Sequence, residues 1–436
     1  MNKEDFLVRQ LPGLAGEAGF TQYAGYLPVD PQHHGHMFFW LCESRSAAAT
    51  DPLVVWLNGG TGTSSLVGLF LENGPFRVEP DLRLSRRELS WNARANVLYI
   101  DQPLGAGYSW VDPAGDVDSD AQITIEFHEF LLRFFEVFPE HRHDLYITGE
   151  SFAGHYIPRI ARYILEQNRL GAAAPIPLVG LAIGDGWVEP EIHYGAYADY
   201  AYANGLIDGR QRRAVQRIDR ACRLGFAAHP EQGDAACDEI LPAILHLAGT
   251  TVERPGGPVL LVPNIYDIRL SAPYSPIMVV PHYPRGEELL PLYLNQPDVR
   301  AALHAAGPKP WVSLDMELVE RLQSTVNESS RHLYAALAEE LRLLFYNGLC
   351  DLMINHVGTT RFLDSLKWSG HRAYAGARQA AWQADEGIGG YAREASRLAY
   401  VMIPNAGHMV PYDQPRIAQA MIDTFLSGQP FVTPPR

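Results

Sequence analysis

Ser151 lies within Thr148-Gly149-Glu150-Ser151-Phe152-Ala153-Gly154, with glycine two residues before it and alanine two after. An apolar run, "LYIT", precedes this stretch, and a helical pattern with Pro158 in its predicted first turn follows. A strand that turns so sharply into a helix has no room for larger side chains at those flanking positions. It lifts the central hydroxyl off the sheet edge as a nucleophile. The amide of Phe152 would then face the place where negative charge develops on an attacked carbonyl. Taken alone, the pattern also fits a structural serine in a tight turn. A serine nucleophile needs a base, and the base needs an orienting acid. Asp351 in "FYNGLCDLMINH" and His408 in "MIPNAGHMVPYDQP" supply them in the order serine, acid, histidine, each just beyond an apolar run. The loop "VVWLNGGTGTSS" offers a second oxyanion donor, the amide of Gly60, and it lacks the Gly-Lys-Ser/Thr ending of a phosphate-binding loop.

The elements that must position these residues can be read from hydrophobic pattern. Apolar runs at 53–58, 96–101, 145–149, 178–186, 341–348 and 398–404 lack polar alternation, as strands buried on both faces do. Helical patterns at 120–139, 155–168 and 414–426 fall between or after them. This alternation predicts an α/β fold with a central, mostly parallel sheet flanked by helices. Ser151, Asp351 and His408 all fall at carboxyl ends of strands, where ligands gather in such sheets. From Trp187 to Leu314 the rhythm breaks into Pro, Gly and short helical patches. We read residues 188–314 as an inserted lid subdomain that divides the core into 1–187 and 315–436. Near the amino end, residues 23–43 predict a hairpin with His33, His34 and His36 at its tip, read as solvated turn residues in preference to metal ligands.

With 436 residues, 47% hydrophobic, the chain can bury a large core. Its formal net charge of −15 argues against nucleic acid and against a membrane surface as partners, and favours a compact or uncharged partner. Cys42, Cys222, Cys237 and Cys350 show no metal-ligand spacing. Four free thiols in a reducing compartment is the plainer reading, although Cys222 and Cys237 could bridge a short loop. No window reaches the ~20 apolar residues of a membrane helix. The start, "MNKEDFLVRQLPGLAG", lacks a signal-peptide pattern, so a chain natively beginning at Met1 is expected in the cytoplasm, and a trimmed one in a secreted or vesicular location.

An ordered set of segments resembles the serine carboxypeptidases, the acid-active peptidases of the α/β-hydrolase fold. It includes "LPGL", "FFWLCES", "PLVVWLNGGTGTSSLVGLFLENGPF", "SWNARANVLYIDQPLGAGYSW", "YITGESFAGHYIP", "IGDGWVEP", "YLNQPDVRAALHA", "YNGLCD" and "NAGHMVPYDQP". The resemblance implies release of C-terminal amino acids from peptides through an acyl-enzyme, with no metal or organic cofactor. Ser151 would be nucleophile, His408 general base and acid, Asp351 its orienter, and the Gly60 and Phe152 amides the oxyanion hole. The substrate's terminal carboxylate would be held by Trp56, Asn58, Glu72 and Glu150. Two neighbouring glutamates cannot both ionise cheaply, so a shared proton is expected to make the pair a donor at low pH. Phe70, Leu71 and Met409 are candidates for setting residue preference. Family members often dimerise, which makes a homodimer the assembly the resemblance suggests. The chain departs from the family at Thr61 and Thr63, which replace a proline and a cysteine of the glycine loop, and at Phe152, which replaces a tyrosine. Losing the proline predicts a looser loop. These changes keep open an alternative of the same chemistry, an acyltransferase, ligase or esterase.

Overall fold

The computed structural model describes residues 1–171, 173–229, 233, 235–275, 283–384 and 387–432. Ten strands among these residues form one sheet. They are β1 (Gln22–Asp30), β2 (Gly35–Cys42), β3 (Leu53–Leu57), β4 (Asn96–Ile100), β5 (Leu145–Glu150), β6 (Leu178–Gly184), β7 (Arg342–Gly348), β8 (Ala380–Ala384), β9 (Gly387–Ala395) and β10 (Leu398–Ile403). Their spatial order is β1-β2-β4-β3-β5-β6-β7-β10-β9-β8. The six central strands, from β4 to β10, pair in parallel, and two antiparallel strands close each edge. Each of the six predicted runs is one of these central strands, and every residue of β3, β4, β5 and β10 is buried. The fold is thus the expected mixed α/β architecture.

Helix α1 (Asp120–Val137) covers one face with Ile123, Phe127, Phe130, Leu131, Phe134 and Phe135, an apolar stripe at helical spacing. Burying each such side chain contributes about 1.5–3 kcal/mol. Helix α2 (Ala153–Leu170) packs beside it, and a later helix, Pro415–Leu426, covers the opposite face with Met421, Ile422 and Phe425. On α1, Glu126 breaks the apolar rule: it is buried, its Oε1 accepts from Gln122 Nε2 at 2.9 Å, and its Oε2 has no partner. Burial pushes its carboxyl up to about 7. The folded state therefore holds a proton that the unfolded chain releases at ordinary glutamate values, and stability falls as pH rises toward 7. Glu126→Gln is expected to leave the melting temperature unchanged near about pH 4 and to raise stability at about pH 8 by roughly 2 kcal/mol. Thermal unfolding of both proteins at the two pH values checks this, and equal curves at the higher pH would refute it.

Between β6 and β7 the chain leaves the sheet. This excursion contains the long helices α3 (Gly209–Ala228) and α4 (Ile240–Ala248), and a small sheet of Thr250–Arg254, Gly257–Pro263 and Ser271–Pro273. Helix α3 is longer than the short patches read from sequence. Asp208 starts it with a capping box, its side chain accepting from the Arg210 and Gln211 amides while Gln211 returns a bond to the Asp208 amide. Farther on, Leu290, Tyr293, Leu294, Val299 and Leu303 join the core on the sheet's other face. Cys222 and Cys237 form a disulfide, which corrects the reading of four free thiols, and Cys42 and Cys350 are unpaired. Helix α3 and the short helix Ala235–Asp238 pack together, bringing the two sulfurs into reach. Among the described residues no helix is long and apolar enough to cross a membrane. The histidine turn joins β1 to β2 as predicted; His34 is exposed, as read from the sequence, while His33 and His36 are half-buried. His33 pairs with Asp30 at 2.6 Å, His34 with Asp112 at 2.7 Å, and His36 stacks on Trp110.

Candidate active site

Strand β5 ends at Glu150 and α2 begins at Ala153, so Ser151 occupies the corner between them. Its φ of 58° lies in the left-handed region, which is uncommon for a residue with a side chain and costs of order 1–3 kcal/mol. Backbone bonds hold the corner: the Ser151 amide donates to the Gly184 carbonyl at 3.0 Å, and its carbonyl accepts the Gly154 and Trp187 amides, both at 2.9 Å. The need for small neighbours is steric. A Cβ on Gly149 would lie 2.4 Å from the Leu57 carbonyl oxygen and 2.7 Å from the Ala153 Cβ. Helix α2 starts earlier than predicted, so Pro158 stands inside it and not in its first turn. Proline cannot donate to the Gly154 carbonyl four residues back, and the Tyr334 hydroxyl does so instead, at 2.7 Å.

The glycine loop after β3 lies flat on this corner. A Cβ on Gly59 would sit 2.4 Å from the Phe152 amide nitrogen, and Gly60, at φ 111°, adopts a conformation suited to glycine. Among the described residues no protein acceptor takes the Gly60 or Phe152 amide. The loop is pinned from behind, which offsets the loss of the proline. Ser64 Oγ donates to Asp101 Oδ1 at 2.5 Å, the Ser65 amide reaches the same oxygen at 3.1 Å, and Trp311 Nε1 donates to Ser64 Oγ at 2.9 Å. Burial pushes the Asp101 carboxyl up to about 6.

His408 follows β10, and Asp351 follows β7, the neighbouring strand. His408 Nδ1 lies 2.8 Å from Asp351 Oδ2, with both side chains buried. The Met353 and Ile354 amides donate to Asp351 at 2.8 and 3.2 Å, which fixes the orientation of the carboxylate. With Nδ1 committed to Asp351, Nε2 is the ring atom left for a reacting proton.

A second cluster adjoins Glu150. Asn58 Nδ2 lies 3.0 Å from Glu72 Oε1 and 3.1 Å from Glu150 Oε1, and both glutamates are at least 98% buried. Asn58 Oδ1 accepts from Trp56 Nε1 at 2.8 Å and from the Gly68 amide at 3.0 Å, so the amide cannot turn over without losing these bonds. Trp56 is fully buried and therefore reaches the cluster through Asn58. Glu72 Oε2 and Glu150 Oε2 are buried and receive no N–H or O–H donor from the rest of the protein, and the two carboxyls are close enough to hydrogen-bond to each other when one is protonated. Burial raises both carboxyls, Glu150 most strongly because the charge of Glu72 adds to it. The pair retains a proton above the ordinary carboxylate range. Of the residues considered for substrate preference, Phe70 packs in the core against Trp40 and Tyr293, and Met409 is half-buried beside His408.

Three features had escaped the sequence reading. The excursion sends residues 264–270 back into the site: the Ile265 carbonyl accepts the Leu352 and Met353 amides at 3.0 and 2.9 Å, and the Tyr266 carbonyl accepts the His408 amide at 2.7 Å. The Tyr266 ring lies 4.9 Å from the His408 ring. Arg269 ties Asp267 to Asp413 at 2.7 and 3.1 Å and donates to the Asn405 carbonyl at 2.6 Å, bracing the histidine loop. Finally, Asp185 lies buried behind Asp351. Among the described residues, two clusters of three potential metal ligands occur, Asp120-His155-Glu328 and Asp185-Asp351-His408. In the first, Arg159 pairs with both carboxylates, at 2.9 and 3.1 Å, and already supplies the positive charge. In the second, His408 and two backbone amides occupy the Asp351 oxygens.

A parallel sheet of this order, with a strained serine corner after one central strand and an acid and a histidine after two others, places the protein among the α/β hydrolases. Comparison with known proteins narrows the class. The family model for serine carboxypeptidases (Peptidase_S10) matches residues 12–428, and the chain belongs to that family. The pheromone-processing carboxypeptidase KEX1 of Fusarium vanettenii is 34% identical over 434 residues, covering 97% of this chain and 69% of that protein. The corresponding protein of Leptosphaeria maculans is 35% identical over 434 residues, 97% and 67% of the two chains. The crystal structure of KEX1(delta)p, a prohormone-processing carboxypeptidase from Saccharomyces cerevisiae, superposes with a TM-score of 0.87 at 27% identity, covering 98% of this chain and 97% of that one. The protein is a serine-type carboxypeptidase, a hydrolase that releases C-terminal amino acids from peptides.

Proposed function

We propose that Ser151 attacks the last peptide carbonyl while the Glu72-Glu150-Asn58 cluster grips the free carboxylate one residue beyond it. The two Oε2 atoms beside the serine corner, which receive no donor from the rest of the protein, carry this reading. A buried acid pair short of one acceptor is a natural donor to an anionic chain end, and Glu150 is covalently next to Ser151. His408 Nε2 takes the Ser151 hydroxyl proton as the C–O bond forms, and Asp351 stabilises the imidazolium. The oxyanion is received by the Gly60 and Phe152 amides, which have no competing protein acceptor among the described residues. The tetrahedral intermediate collapses, the C–N bond breaks, and His408 returns the proton to the departing amine. Water, deprotonated by the same histidine, then attacks the acyl-serine and releases the shortened peptide. Trp56 acts by orienting Asn58, and the inserted stretch 188–314 shapes the acyl side of the cleft through residues 264–270.

Hydrolysis is separated from acyl transfer by incubating the enzyme with a dipeptide and an added amine and reading products by mass spectrometry. Free C-terminal amino acid as the main product is expected; a dominant new amide would make the acyltransferase alternative the correct one. The Cys222–Cys237 bridge supports an oxidising compartment over the cytoplasm for the working enzyme, because such bonds persist where thiols are not kept reduced.

A further inference from the structure

Asp185 follows β6 in Ile183-Gly184-Asp185-Gly186-Trp187, and no step of the proposed reaction uses it. It is fully buried and holds a left-handed φ of 41°, a conformation retained where surrounding contacts impose it. Its Oδ1 accepts from Asn347 Nδ2 at 3.0 Å and from the Gly348 amide at 3.1 Å, both on the strand end that leads to Asp351. Its Oδ2 has a longer contact to that amide, 3.3 Å, and is the oxygen freer to carry a proton. A carboxylate oxygen of Asp185, one of Asp351 and a ring nitrogen of His408 all lie within 4.8 Å of one another.

We propose that Asp185 is a positioning residue of the acid-base relay, a neutral carboxylic acid that donates to Asp351 and so sets how strongly Asp351 holds His408. The inference rests on reading Asp351 and His408 as orienting acid and base. Two buried carboxylates at this separation cannot both be charged without a cation to compensate them. With His408 in the neutral form a general base requires, the groups facing Asp185 supply no such charge: Glu150 is itself raised, and Tyr200, Tyr346 and Tyr400 are all pushed up by burial. His356, which faces Asp351, is lowered by burial and stays neutral. Asp351 already receives two backbone amides and the imidazole, which leaves Asp185 as the member that keeps the proton. In agreement, burial and then the charge of Asp351 hold the Asp185 carboxyl well above its ordinary range.

A donor to Asp351 draws charge away from the oxygen facing the imidazole. Removing it concentrates that charge, stabilises the imidazolium and moves the acid limb of kcat/KM to higher pH. Asp185→Ala is expected to shift that limb upward by about one pH unit, the worth of one hydrogen bond to a charged group, and to lower kcat about tenfold because Asp351 loses a contact that fixes its orientation toward the imidazole. Asp185→Asn, which keeps a neutral donor of the same shape, should recover most of both losses. A merely structural role predicts lower melting temperatures with an unmoved limb in both variants, and that result overturns the proposal, as does an asparagine variant shifted as far as the alanine one. If neither variant folds, infrared spectra decide. In the Glu72→Gln/Glu150→Gln protein at about pH 8, above the values reached by Asp101 and Glu126, a protonated carboxylic acid stretch should persist, and its absence refutes the idea. His408→Ala serves as the separate control. If that variant still reacts with a fluorophosphonate at the wild-type rate, the relay itself is misassigned; if it does not react, failure of the Asp185 tests counts against Asp185 alone.

Discussion

Ser151→Ala is expected to lower kcat for peptide hydrolysis by at least about 10⁴-fold while leaving the melting temperature close to that of the wild type. The size follows from the attacking atom's position at the corner between β5 and α2. No other hydroxyl in the stretch from Glu150 to Gly154 can replace it. The small stability change follows from the backbone: the bonds that hold the corner run through the amide and carbonyl of Ser151 and survive the substitution. Relief of hydroxyl desolvation offsets part of any packing change. His408→Ala should match this loss, because an unassisted serine hydroxyl is a poor nucleophile at neutral pH. Asp351→Asn should cost about 10⁴-fold, since an amide at 2.8 Å from Nδ1 can present a donor and hold the wrong tautomer. The three losses should not add, because the groups act as one unit. Single-turnover kinetics with a chromogenic peptide, together with covalent labelling by a fluorophosphonate, reads both the rate and the site. Substantial hydrolysis by the Ser151→Ala protein would place the nucleophile elsewhere.

The six central strands were legible because strands buried on both faces appear as unbroken apolar runs, as in Leu53–Leu57 and Leu398–Ile403. The edge strands Ala380–Ala384 and Gly387–Ala395 were not, because Gln383, Gly387, Tyr391 and other residues face solvent and mask any apolar run. Helix α3 had its signal in the Asp208 capping box, but its arginine-rich surface made a long helix look like broken patches. At the site, Ser151 was readable because the corner's steric demand selects Gly149 and Ala153, so the local sequence carries the geometry. Nothing local marks Arg269 or Tyr266. They reach the histidine loop because an excursion of the chain folds back over it, and contacts between residues 136 positions apart leave no periodic trace. Asp185 was visible within "IGDGWVEP", but its role depends on β6 pairing with β7, which brings it beside Gly348.

The KM for peptides with a free C-terminus is expected to rise by about 10- to 100-fold as pH climbs through the raised titration of the Glu72-Glu150 pair. Below that titration the pair holds at least one proton, and a protonated Oε2 donates to the substrate carboxylate. Above it the same atoms are negative and repel the substrate, and Asn58 cannot compensate because its Nδ2 is already directed at both Oε1 atoms. Burial is the main cause of both shifts, so the proton is bound more tightly in the folded protein than in the unfolded chain. Stability contributed by the pair is complete below the ordinary glutamate range and is lost as pH rises through the folded titration. Glu72→Gln/Glu150→Gln makes the cluster neutral at every pH and should give a flat KM, near the acid value of the wild type, together with a flatter dependence of unfolding free energy on pH. The single variant Glu72→Gln should behave differently, since removing the charge of one partner relieves its neighbour and lets Glu150 ionise at lower pH. A C-terminally amidated peptide supplies the internal control: it lacks the carboxylate, so any hydrolysis of it should show no such rise in KM. Michaelis constants measured for both peptides from about pH 4 to about pH 8 test the whole argument, and a free-acid KM that tracks the amide across that range would remove the glutamate pair from substrate recognition.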